Sequence, residues 1–273
     1  MADALYLSLW YPNLRLAGLA DKMVAVLGEF ARHGGGARVY AATVWPVSWS
    51  EAPVYQRVWG RMAAAVPGET LVVGAEPRVA VEETLELLHE DYAYEFQIGW
   101  SLWESAGNEG TREQGNEAAG AAGAAEEQPQ ILRSAQDDNF LSDDNFHSDG
   151  NFHSDDNIHS KESDGDKRDV EGGTRWARVS RLVRVTGLGP LFDEGAYEQD
   201  GHIRIDFGSD APFLEEEAEL DAAGARHVAE NIRQLVDLTT AVEKASGATA
   251  RLLWSELGES LAQRLSQRLG QRN

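Results

Sequence analysis

Residues 92–102 read Tyr92-Ala93-Tyr94-Glu95-Phe96-Gln97-Ile98-Gly99-Trp100-Ser101-Leu102. Large apolar side chains occupy every even position and small or polar ones every odd position. A period of two is the mark of a strand with one buried face and one wet face. A strand buried on both faces in a parallel sheet would read as a continuous apolar run instead. The segment therefore predicts a sheet covered on one side only.

The flanking sequence extends that sheet. Ala177, Val179, Val183 and Val185 define another strand, with Arg178, Ser180, Leu182 and Arg184 opposite and Arg181 interrupting the apolar side. Ile203, Ile205 and Phe207 alternate with His202, Arg204 and Asp206. Asp200-Gly201 is a two-residue turn signal, which predicts a hairpin joining Ala196–Gln199 to Ile203–Phe207. Upstream, Leu5, Leu7 and Leu9 alternate with Tyr6, Ser8 and Trp10, and Val39 to Val47 is β-branched and aromatic. Leu71–Gly74 and Ala250–Trp254 read as short strands.

Helices fall between these strands. Leu16, Leu19, Met23, Val26, Leu27 and Phe30 follow three/four spacing and end at Gly34-Gly35-Gly36. Pro77 and the run Val81 to His89 predict a second helix. A third runs from about Asp221 to Ala245, capped by Gly247, and a last one carries Leu257, Leu261, Leu265 and Leu269. The predicted class is α+β: a mixed, mainly antiparallel sheet with helices packed on one side.

The chain has 273 residues, no cysteine and a formal net charge of −22. Without cysteine there is no disulfide framework, thiolate zinc site or cysteine nucleophile. The acidity argues against a nucleic-acid partner, which needs clustered Lys and Arg. No segment approaches the roughly 18 consecutive apolar residues of a membrane span. The N-terminus lacks the basic region of a signal peptide, so the expected location is cytoplasmic.

Charge is unevenly placed. Residues 107–172 hold 17 acids and 5 bases, a net of −12, against −10 for all the rest. This stretch predicts a disordered, low-complexity acidic insert within one discontinuous domain made of residues 1–106 and 173–273. Residues 137–160 are four tandem hexapeptides, DDNFLS, DDNFHS, DGNFHS and DDNIHS. Their lead-in, residues 131–139 (ILRSAQDDN), resembles a peptide produced when an interspersed bacterial repeat is translated. The resemblance covers nine residues and implies insertion into a tolerant surface loop. His147, His153 and His159 recur among aspartates and are the metal-ligand candidates; a solvated linker is the plainer reading of the same repeat.

No phosphate loop, dinucleotide fingerprint, zinc-protease helix or serine-hydrolase elbow is present, so no cofactor is expected. Three constellations remain. His89-Glu90-Asp91 could form an acid/base pair or simply end a helix. His202 with Asp206 and Glu198 could run general acid/base chemistry, with Arg178 and Arg184 holding an anion; cross-strand ion pairs explain the same residues as a solvated sheet face. Trp10, Trp45 and Trp49 lie at strand ends, where they could line a ligand cleft or serve as core and rim packing. The C-terminal helix also carries a row of Arg264, Arg268 and Arg272. The favoured function is a non-enzymatic binding or interaction protein whose partner is a protein or a small molecule. The alternative is a hydrolase-like small-molecule enzyme using the His202 set beside an aromatic cleft.

Overall fold

A computed structural model of the chain describes residues 3–34, 36–60, 74–105, 176–214, 220–256 and 261–270. All belong to one compact unit, Met1–Gly115 with Gly173–Asn273. The acidic insert, its hexapeptides, His147, His153, His159, Arg272 and all but Gly74 of the strand expected at Leu71–Gly74 lie outside the described residues.

Seven strands form one sheet: β1 (Ala4–Trp10), β2 (Val39–Pro46), β3 (Tyr55–Val58), β4 (Tyr92–Ser105), β5 (Trp176–Leu188), β6 (Ile203–Ser209) and β7 (Ala250–Ser255). The order is β3-β2-β4-β5-β6-β1-β7, and every neighbouring pair is antiparallel. The helices are α1 (Leu16–His33), α2 (Pro77–Thr84), α3 (Tyr197–Asp200), α4 (Ala211–Leu214), α5 (Ala222–Ser246) and α6 (Leu261–Gly270). The class is α+β, as the alternation predicts.

The even positions of β4 supply the centre of the core. Tyr94, Phe96, Ile98, Trp100 and Leu102 are buried with Leu5, Leu7 and Leu9 of β1 and Ile203, Ile205 and Phe207 of β6. The buried stripes of α1 (Leu19, Met23, Val26, Phe30) and α5 (Val228, Ile232, Leu235, Val242) join the same cluster. Phe30 meets Trp100 edge-on at 6.1 Å between ring centres. Burying side chains of this size contributes about 1.5–3 kcal/mol each, so this one face carries the hydrophobic stabilisation of the unit.

Two boundaries follow local chemistry. Asp221 caps α5 by accepting the Gly224 N–H at 2.6 Å, and Gly247 closes the helix at φ +70°. Insertion between β4 and β5 leaves their pairing intact from Ala93↔Leu188 to Ser105↔Trp176.

Two expectations are corrected. Residues 197–200 form the helical turn α3, so Asp200-Gly201 is not a hairpin. Gly201, at φ +86° and ψ 156°, redirects the chain into β6, which pairs with β5 and β1 instead. The turn signal identified a bend correctly but not its partner strand, because pairing depends on residues far away in sequence. The structure also adds the edge strand β3; its exposed, irregular residues Gln56, Arg57 and Val58 carry no periodicity to announce it. In addition, α2 stops at Thr84, and Leu85–Leu87 tightens into a 3-10 turn.

Candidate functional site

The sheet's second face is laid out in cross-strand rows. One runs Gln56, Thr43, Glu95, Thr186, Arg204, Ser8 and Leu252; the next runs Val58, Ala41, Gln97, Arg184, Asp206, Tyr6 and Trp254. Arg204 and Asp206 lie in these rows, while His202 stands just before β6 and outside the strand register. Arg184 pairs with Asp206 at 3.5 Å, and Arg204 pairs with Asp200 at 2.9 Å. Tyr6 stacks on Trp254 at 4.6 Å, and the Trp254 indole N–H donates to Ser8 Oγ at 3.1 Å. Glu95, half-buried on this face, was not among the sequence candidates. Burial pushes its carboxyl above the usual range; the Arg184 and Arg204 guanidiniums and a hydrogen bond with Gln97 oppose the shift, and Asp206 adds to it.

The tryptophan candidates separate. Trp45 and Trp49 meet at 5.8 Å, and Trp49 packs on Phe192 at 4.9 Å. With Ala93, Leu188 and Tyr197 they make a small second core under the Phe192 turn. The Trp45 indole N–H is buried and has no acceptor among the described residues. Trp10 stands apart on β1 opposite Ala250. Arg178 is also remote from Arg184: it pairs with Glu230 of α5 and lies over the Trp103 ring at 5.0 Å. His89 is exposed and pairs with Asp91.

A cavity of about 340 Å³ opens where β1 leaves the sheet for α1 and β5 gives way to β6. Leu14, Leu16 and Leu19 form one wall, Leu188 and Pro190 another. Tyr11, Tyr197, Asn13 and His202 supply its aromatic and polar atoms. Pro12-Asn13 turns the chain here, with Asn13 at φ +53°, a conformation asparagine tolerates better than most side chains. The volume falls within the range of small-molecule sites.

His202 is the placed polar group of this cavity. The Tyr11 backbone N–H donates to its Nδ1 at 3.2 Å, so the neutral ring carries its proton on Nε2. The ring stacks on Tyr197 at 4.7 Å. Burial lowers its pKa, which keeps it uncharged at neutral pH. Nε2 has no partner among the described residues and is available as a donor. Tyr11 is committed elsewhere: its hydroxyl donates to Ser246 Oγ at 2.9 Å, and burial pushes its pKa up to about 12.

Neither Asp206 nor Glu198 lines this cavity. Four residues along one strand separate His202 from Asp206 by about 13 Å at ~3.3 Å per residue. Glu198 sits exposed on α3. Histidine and carboxylates are thus on neighbouring ground without forming a hydrogen-bonded set.

No family model, curated protein or solved structure matches the chain.

An open hollow adjoins the cavity and shares Tyr11, Asn13 and Leu14 with it. Arg15, Lys22 and Gly247 line the hollow. Lys22 Nζ donates to the Ser246 carbonyl at 2.6 Å and lies 5.4 Å from the centre of the Tyr11 ring. Arg15 has no side-chain partner among the described residues. The sequence signals at these positions were slight: one aromatic after a strand end, an asparagine in a turn, and two cations at the start of a helix. Among the described residues, no three or more His, Asp and Glu side chains gather where a metal could be held. No described helix is long and apolar enough to cross a membrane.

Proposed function

We propose that this chain is a non-enzymatic binding protein and that its ligand is a small molecule with an apolar part and a polar part, seated in the cavity between β1, α1, β5 and β6. The observation that carries the reading is the pairing of a leucine-walled cavity with one fixed donor, His202 Nε2. Leucine side chains seat the apolar part of a ligand, and the polar atoms that converge among them orient it without reacting with it. The hydrolase-like alternative has less support, because Asp206 and Glu198 do not line the cavity with His202. A cytoplasmic location and a nucleic-acid-free role remain part of this proposal, the second resting on the net charge of −22. So does the origin of residues 131–139 in a translated interspersed repeat, inserted between β4 and β5.

The test is native mass spectrometry of the protein and of Leu16→Trp, each gently purified from the native host. Leu16 lines the cavity and is only partly buried, so a larger ring there fills the space without recasting the core. A small-molecule mass excess on the wild type that is lost in the variant is expected. A protein partner retained equally by both, with no small-molecule excess, overturns the reading.

A further inference from the structure

The charged side chains that line the cavity and its adjoining hollow have the opposite sign from the molecule as a whole. The chain carries 46 acids against 24 Lys and Arg, yet no carboxylate lines the cavity or the adjoining hollow among the described residues. The two charged side chains that do line the hollow, Arg15 and Lys22, are both cations. Lys22 is anchored through one contact to the Ser246 carbonyl, and an ammonium has three donors. Arg15 offers a guanidinium fork with no partner among the described residues. Tyr11, Asn13 and Leu14 form the shared wall, so a molecule seated among the leucines reaches the two cations by passing one turn of chain.

We infer that the ligand is an organic anion: an apolar or aromatic body lies in the cavity, and its carboxylate or phosphate is held by Lys22 and Arg15 in the adjoining hollow. This rests on the cavity reading above and adds the ligand's charge and its orientation. Charge-assisted hydrogen bonds to an anion are about twice as strong as neutral ones, so two cations at this point separate anionic from neutral ligands. The same two residues repel a cation, although the remainder of the protein attracts one through its long-range field.

Three probes of one skeleton test the inference: 4-phenylbutyrate, 4-phenylbutanol and 4-phenylbutylamine, titrated calorimetrically into the full chain at pH 7. The carboxylate is expected to bind about tenfold tighter than the alcohol, with the amine weakest. In the double variant Arg15→Gln/Lys22→Met, the carboxylate is expected to fall to the alcohol's affinity. An unchanged alcohol affinity shows that the variant keeps the cavity. Equal binding of carboxylate and alcohol to the wild type, or a preference that survives in the double variant, overturns the anion inference and leaves the cavity reading standing. Binding of none of the three overturns the cavity reading and this inference with it.

Discussion

Asn231 of α5 does for Trp103 of β4 what a neighbouring strand would do. Its Oδ1 accepts the Trp103 N–H at 2.9 Å, and its Nδ2 donates to the Trp103 carbonyl at 2.8 Å. The same Nδ2 donates to the Pro212 carbonyl at 2.8 Å. One turn along, Gln234 Nε2 donates to the Ser101 carbonyl at 3.2 Å. β2 pairs with β4 only as far as Ile98, so beyond it the outer edge of the β4–β5 ribbon has no neighbouring strand among the described residues. Backbone groups left unpaired away from water are costly, and two amide side chains on one helix face satisfy four of them.

Asn231→Ala therefore removes three hydrogen bonds at a fully buried side chain. The expected loss is about 2–4 kcal/mol, since each orphaned buried group costs roughly 1–3 kcal/mol and some recover water. Urea unfolding should show the midpoint falling. Asn231→Asp should not rescue it, because a carboxylate cannot donate to the two carbonyls.

Gly201 sets where His202 stands. Its φ of +86° and ψ of 156° lie in a region essentially confined to glycine, and an added Cβ would come within 2.8 Å of the Leu9 backbone nitrogen. Gly201→Ala is expected to cost at least about 1–3 kcal/mol. It should also weaken probe binding at the cavity, because it displaces the strand start that carries the imidazole. An alanine variant with unchanged melting temperature and unchanged binding would contradict this account.

Glu95 opposes folding at neutral pH. Burial raises its pKa in the folded protein, so the folded state holds the proton more tightly than the unfolded chain. The stability this contributes is complete below the unfolded value of about 4.3 and is lost as pH rises through the folded value. Glu95→Gln should consequently raise the melting temperature at pH 7 and change it little at pH 4. Calorimetry of the two proteins at both values checks the sign.

His202 acts in the reverse sense. Its folded pKa is lowered by burial, so the unfolded chain binds the proton more readily. Its contribution is complete above about pH 6.5 and is lost as pH falls through the lowered folded value. Titrating the ring by NMR should place its midpoint below 6.5 as a direct reading. A ligand accepting from Nε2–H should move that midpoint back up, because the imidazolium donates the stronger, charge-assisted hydrogen bond.

Some of this was legible in the sequence and some was not. The alternation of Tyr94, Phe96, Ile98, Trp100 and Leu102 specified a one-sided sheet because side chains on a strand alternate whatever lies beside them. The spacing from Leu19 to Phe30 specified α1, and Asp221 and Gly247 marked the ends of α5, since capping is a local matter of a few backbone groups. The shared face of Arg204 and Asp206 followed from the same period of two. Tertiary structure alone decided that β6 lies between β1 and β5, which places Arg184 beside Asp206 and Glu95 near both arginines. It alone brought the end of β1, the start of α1 and the Leu188 turn around one cavity, and placed Lys22 beside the last residue of α5. Local chemistry fixes which face of an element is apolar and where that element stops. The neighbours of that face are fixed by chain closure over long sequence distances, and the candidate site exists only because the run from Tyr11 to Leu19 closes against Leu188, Pro190, Tyr197 and His202.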